Sequence, residues 1–195
     1  MHVLLSSLLL MISLSPSIAQ PSADSIQPSE EYTRIIVLRH APKAKPLETE
    51  KESNNRKDPP LNTLGLTKAE AYADFADLYS ISAIYSTNLR RTKDTVRPLS
   101  EKTGVKIDTS IKPFDYQAQI QSILTNHKNK TVVIVGHSNT VPGFINHLLP
   151  NENMPDLAHD AYDDIFILKH YSSDRIELLK LRHAIKTTHQ LLIKD

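Results

Sequence analysis

The sequence contains no cysteine, which excludes disulfides, thiolate-bound metals and a cysteine nucleophile. Glycine is nearly as scarce. Gly65, Gly104, Gly136 and Gly143 are the only four in 195 residues. They cannot spell a dinucleotide fingerprint or a Walker loop, so nucleotide binding of those kinds is excluded. Neither sign of charge is in excess: 23 Lys and Arg face 22 Asp and Glu, for a net charge of +1. No basic stripe or acidic tail is present, so no nucleic-acid partner is expected. Residues 1–19 hold no Lys, Arg, Asp or Glu at all. Val3 to Leu14 is a leucine-rich apolar run, too short for a comfortable membrane span. Pro16 and then Ser17-Ile18-Ala19 come after it, a small-x-small cleavage pattern before Gln20. The basic n-region of such leaders is reduced to His2. Residues 1–19 are therefore expected to be a signal peptide, giving a secreted or periplasmic protein with no stable membrane anchor after cleavage. The alternative is a buried helix or a retained anchor.

What remains suits one globular domain. Residues 20–33, rich in Ser, Pro and acids, read as a flexible leader, and 34–195 as a single domain. Arg34 to Leu38 is a short β-branched run, hence a buried strand. Pro42 to Pro60 is polar and proline-bearing and should be a long surface loop. Helices are expected over Thr67–Tyr79, Leu89–Lys102 (capped by Asn88 or Thr87), Asp115–Asn126 and Ser138–Leu149, where Pro142 is tolerated in the first turn. Further strands are expected at Ala83–Tyr85, Val105–Ile107, Thr131–Val135, Ile165–His170 and Arg175–Leu181, the last two joined by the turn Ser172-Ser173-Asp174.

Strands alternating with helices predict an α/β fold: a three-layer αβα sandwich with a mainly parallel central sheet. Ligands of such sheets bind beyond the carboxyl ends of the strands. Past the first strand lie Arg39-His40. Past the second lie Ser86-Thr87-Asn88 and then Arg90-Arg91. Past the strongest strand comes Gly136-His137-Ser138-Asn139. Two histidines, several arginines and hydroxyl or amide groups thus converge on one rim. Guanidinium forks beside helix N-termini make an anion site, and they match the oxygens of phosphate.

Four blocks then carry a family resemblance: Val37-Leu38-Arg39-His40-Ala41, Asp58-Pro59-Pro60-Leu61-Asn62 with Gly65, Tyr85 to Thr95, and Val133 to Thr140. Their order and spacing resemble the signature segments of the histidine phosphatase, or phosphoglycerate mutase-like, superfamily, in the form of its small exported members. The resemblance implies a phosphatase that hydrolyses a small phosphomonoester through a phosphohistidine, with no metal and no cofactor. It implies His40 as nucleophile, Arg39 and Arg91 as grips on the phosphoryl oxygens, and His137 as a further hydrogen-bond donor. Arg90 competes with Arg91, but the register before Thr92 favours Arg91. Ser138 and Asn139 either contact phosphate or cap the following helix. Asp115 is the candidate general acid, and a helix N-cap would explain it equally well. Pro42-Lys43 departs from the Glu-Lys common at that spot in similar exported proteins.

Three rival readings remain at this point. Gly136-His137-Ser138-Asn139-Thr140 is close to a nucleophile elbow, so Ser138 with Asp163 or Asp164 and His183 or His189 could form a serine hydrolase. A phosphate-binding or sensing module without turnover is the second. A phosphatase acting on phosphohistidine proteins is the third, since a phosphoramidate leaves without a strong general acid. A mutase is disfavoured by the short chain and small polar inserts. Substrate choice is expected to lie in Pro42–Pro60 and Asn151–Ala161.

Overall fold

The computed structural model describes residues 30–45 and 57–184. The expected signal peptide, most of the leader, the middle of the Pro42–Pro60 loop and His189 lie outside the described residues. Among the described residues, no helix is long and apolar enough to cross a membrane.

The elements in chain order are β1 (Tyr32–Arg39), α1 (Thr63–Tyr72), α2 (Phe75–Leu78), β2 (Ile81–Ser86), α3 (Arg90–Thr103), β3 (Ile107–Asp108), α4 (Tyr116–Asn126), β4 (Thr131–Gly136), α5 (Thr140–Leu148), β5 (Asp164–Tyr171) and β6 (Ile176–Arg182). They form one six-stranded sheet of order β3-β2-β4-β1-β5-β6. β1, β2, β3 and β4 run parallel, while β5 is antiparallel to β1 and β6 to β5.

The central pair β1 and β4 explains its own sequence. Ile35 to Leu38 and Val132 to Val135 are buried, as strands covered on both faces require. Alternate side chains enter opposite layers. Ile35, Val37, Val132 and Ile134 pack with Ile123 of α4 and with Phe144 and Ile145 of α5. Ile36, Leu38, Val133 and Val135 pack with Tyr72 of α1 and with Val96 and Leu99 of α3. Helices therefore cover both faces, giving the three-layer sandwich.

Local chemistry moves several boundaries from the sequence expectation. β1 starts at Tyr32, and Glu30 already pairs with Arg175 and Ser173, so the ordered domain begins inside the expected leader. The first helix starts at Thr63 rather than Thr67, because the Asn62 side chain accepts the Gly65 N–H as an N-cap. It stops at Tyr72, and Phe75–Leu78 forms a separate turn of helix. Neither Thr87 nor Asn88 caps α3. The Asp58 carboxylate does so from 32 residues away, accepting the Arg90 N–H at 2.7 and 2.9 Å.

Candidate active site

The carboxyl ends of β1, β2 and β4 meet at one rim. Arg39 is in register with Gly136, and Ser86 with Val135. The His40 N–H donates to the Gly136 carbonyl at 3.0 Å, so the sheet ladder continues one residue past β1. The His40 and His137 rings consequently lie edge to face with centroids 5.5 Å apart.

His40 is 4% exposed. Its Nδ1 lies 2.9 Å from the Ala41 carbonyl, which can only accept. Nδ1 therefore carries the proton and Nε2 carries the lone pair. The Ala41 N–H in turn donates to Thr95 Oγ1 at 2.9 Å, and Thr95 donates to the Arg91 carbonyl at 2.7 Å. The carbonyl that fixes the tautomer is thus itself fixed to α3. Burial, with Arg91, His137 and Arg39 nearby, pushes the His40 pKa down to about 3. The ring is neutral over the physiological range.

Arg39 is buried as well. Its Nη1 donates to the carbonyls of Ala158 at 2.7 Å and Ala161 at 3.0 Å, and its Nη2 donates to that of His159 at 3.0 Å. The Tyr162 ring covers it, with Cζ 4.1 Å from the centroid, and the same ring lies 5.8 Å from His40. Arg91 pairs with Asp58 at 3.6 Å. Burial depresses the pKa of both guanidiniums. Burial also depresses that of Lys43, with Arg91 and Arg39 adding to it, so a third cation faces the cluster. The Nε atoms of Arg39 and Arg91 are buried and have no acceptor. Donors withdrawn from water beside several cations call for an oxyanion. Arg90, by contrast, turns outward to Asp94 at 3.5 Å and is 53% exposed.

The second histidine is oriented by two threonines. Thr87 Oγ1 lies 3.0 Å from His137 Nε2 and 2.9 Å from Thr92 Oγ1. The carbonyls of Thr87 and Leu89 compete for the single Thr92 hydroxyl proton. Thr92 Oγ1 is then left to accept from Thr87, and Thr87 accepts from His137 Nε2–H. Burial, then Arg91, Arg39 and Lys43, push the His137 pKa down to about 4. The ring that donates to Thr87 is therefore the neutral one.

Two glycines permit this packing. A Cβ on Gly65 would sit 2.1 Å from the Pro42 carbonyl, where α1 abuts the segment after His40. A Cβ on Gly136 would sit 2.5 Å from Thr140 Oγ1, the atom that accepts the His137 N–H.

The remaining expected residues are more dispersed. Asp115 caps α4 by accepting the Ala118 N–H at 3.4 Å. It lines a separate cavity of about 430 Å³ with Tyr85, Asp108 and Lys112. Asn139 precedes α5 without a side-chain cap bond, and Ser138 offers its carbonyl to the Leu157 N–H at 2.9 Å. Among the described residues, the serine-hydrolase constellation is not assembled. Asp163 pairs with Lys68 and Asp164 with Lys180, while the His183 ring lies against Tyr72 in the layer beneath the sheet. Among the described residues, no three His, Asp or Glu side chains gather as a metal would need. Sequence reasoning assigns no catalytic or binding role to Asp58, Thr87, Thr95 or Tyr162, although it offers Thr87 as a helix cap and places it at the rim. The first three lie inside the motif blocks, which is the available signal. Tyr162 stands alone in an irregular segment and leaves none.

Residues 35–112 match the model of the histidine phosphatase superfamily (branch 1). No curated protein sequence matches the chain. Among solved structures, the protein histidine phosphatase SixA complexed with tungstate is similar, with TM-score 0.61 and 15% identity over 76% of this chain and 96% of that one. The mycobacterial glucosyl-3-phosphoglycerate phosphatase superposes with TM-score 0.58 and 18% identity over 78% and 100%. YhfR of Bacillus stearothermophilus gives TM-score 0.57 and 14% identity over 75% and 95%. These likenesses establish the fold.

Proposed function

We propose that this chain, a member of the histidine phosphatase superfamily, is a phosphatase that hydrolyses a small phosphomonoester through a phosphohistidine on His40. The observation that supports this best is the state of His40. A neutral imidazole has its proton fixed on Nδ1, while two buried guanidinium N–H groups beside it lack acceptors.

In the first step, Nε2 of His40 attacks phosphorus and the bond from phosphorus to the leaving oxygen breaks. The Ala41 carbonyl stabilises the positive charge that develops on the ring. Arg39 and Arg91 hold the phosphoryl oxygens, each such preorganised donor contributing about 3 kcal/mol to the barrier by analogy with oxyanion-hole deletions. The negative phosphoryl group favours a second proton on His137. Its other nitrogen then becomes a donor while Nε2–H stays on Thr87. In the second step, water attacks phosphorus, the N–P bond breaks and the His40 lone pair is restored. Asp115 remains the candidate to protonate the leaving oxygen, and that role requires it to leave the α4 cap.

Its engagement as a cap favours a second reading, in which a phosphoramidate such as phosphohistidine is the substrate. The leaving nitrogen then takes its proton readily from solvent. SixA-type phosphatases among the structural neighbours lend this reading support.

One experiment tests both. Turnover of p-nitrophenyl phosphate and of phosphoramidate is measured for the wild type and His40→Ala, together with capture of acid-labile phosphate on the protein. Ester hydrolysis that His40→Ala abolishes, with label on His40, supports the main reading. Turnover of phosphoramidate alone supports the second. No turnover of either, with phosphate still bound, leaves a binding module and refutes both.

A further inference from the structure

The grip on Arg39 comes from an irregular segment. Ala158, His159 and Ala161 supply the three carbonyls and Tyr162 the covering ring, yet this stretch belongs to no helix or strand. Its own internal support is a single turn, from the Ala161 N–H to the Ala158 carbonyl. Such a segment holds a charged group in one place only when it is tethered. At its start, the Leu157 N–H donates to the Ser138 carbonyl at 2.9 Å. At its end, next to Tyr162, stands Asp163.

Asp163 is held by a lysine that the reaction does not use. Lys68 of α1 is 1% exposed. Its Nζ meets Asp163 Oδ1 at 2.6 Å and donates to the His183 carbonyl at 2.7 Å. The His183 N–H closes the figure by donating to the Asp163 carbonyl at 2.8 Å. A lysine this deep is costly to bury unless its charge is paired and hydrogen-bonded, and exchanging the whole pair for uncharged residues would often cost little. What it provides here is a fixed point, tying α1, the end of β6 and the segment over the rim to one ammonium group.

We infer that Lys68 is a positioning residue for oxyanion binding: through Asp163 it holds the 158–162 segment so that its carbonyls and the Tyr162 ring keep Arg39 beside His40. This deepens the proposed function and rests on it for the identity of the anion. The ordering of Arg39 itself does not.

The test uses Lys68→Met, because Asp163 is 31% exposed and can be solvated once its partner is lost, with the double variant Lys68→Met/Asp163→Asn as the second, which leaves neither charge stranded. Folding is checked by far-UV circular dichroism. Two quantities are then read: hydrogen exchange of the Arg39 Nε–H by NMR, identified by its disappearance in Arg39→Lys, and the inhibition constant for inorganic phosphate. We expect faster Nε–H exchange and about tenfold weaker phosphate inhibition in each folded variant, the scale on which loss of a supporting shell is felt, with KM rising more than kcat falls. A merely structural lysine would lower the melting temperature and move neither quantity. Wild-type Nε–H exchange and phosphate inhibition within twofold of wild type, in either folded variant, overturn the inference. Wild-type protein that ignores phosphate while Arg39 loosens in the variants would sink the phosphatase reading and leave the tether standing.

Discussion

Replacing His40 with asparagine should flatten the acid side of the stability curve. In the native state the ring titrates at about 3, against an ordinary value of 6.5. Between those values the unfolded chain binds a proton that the folded chain refuses. The stability associated with the neutral buried ring is therefore fully present above pH 6.5 and is lost as pH falls toward about 3. At roughly 1.4 kcal/mol per unit, the descent to pH 5 costs about 2 kcal/mol from this ring alone. His137, lowered to about 4, acts in the same direction. Against a total of about 5–15 kcal/mol, that is a visible share. Urea denaturation of wild type and His40→Asn at pH 7.5, 6 and 5 measures it. The carboxylates common to both proteins cancel in the difference. The gap between the two should shift by about 2 kcal/mol in favour of the variant on going from pH 7.5 to 5. Parallel curves would show a ring open to water and would remove the electrostatic basis of the mechanism.

Three further outcomes are expected from the same geometry. Binding of sulfate, an oxyanion that does not itself titrate near neutrality, should take up protons at pH 6, because it offsets the burial and the cations that keep His137 neutral; calorimetry in buffers of different ionisation enthalpy detects this, and zero uptake would contradict the second proton assigned to His137 in the anion complex. Asp58→Ala should cost about 1 kcal/mol through the lost cap and raise KM by loosening Arg91, readable by thermal melts and steady-state kinetics. Export of the full chain should yield a mature N-terminus at Gln20 by mass spectrometry of the secreted or periplasmic fraction.

The fold is legible where the sequence is repetitive. Unbroken β-branched runs at Ile35–Leu38 and Val132–Val135 mark the two central strands, and the polar residues directly after those runs mark the rim. The start of α1 escapes the pattern because Asn62 sits inside a motif, where its capping side chain draws no separate notice. The cap of α3 escapes for a deeper reason. Sequence rules look for capping side chains next to the helix, whereas Asp58 comes from the loop before α1. The same limit applies to the site. Arg39 ends a strand, His40 and His137 stand directly after strands, and Arg91 stands at a helix start. The carbonyls of residues 158–161, the Tyr162 ring and the Lys68–Asp163 pair are invisible, because backbone acceptors have no letter and an ion pair 95 positions apart has no spacing rule.

The distant closure of α3 by Asp58 has an implication for how the pocket comes into being. Arg91 occupies the opening turn of that helix, and the opening turn is completed by a carboxylate that reaches it only after the chain has wrapped α1 and β2 into place. The anion grip is therefore a tertiary rather than a local property: the turn that carries Arg91 is closed by a residue outside its helix, so a disturbance of the loop before α1 reaches the arginine as well.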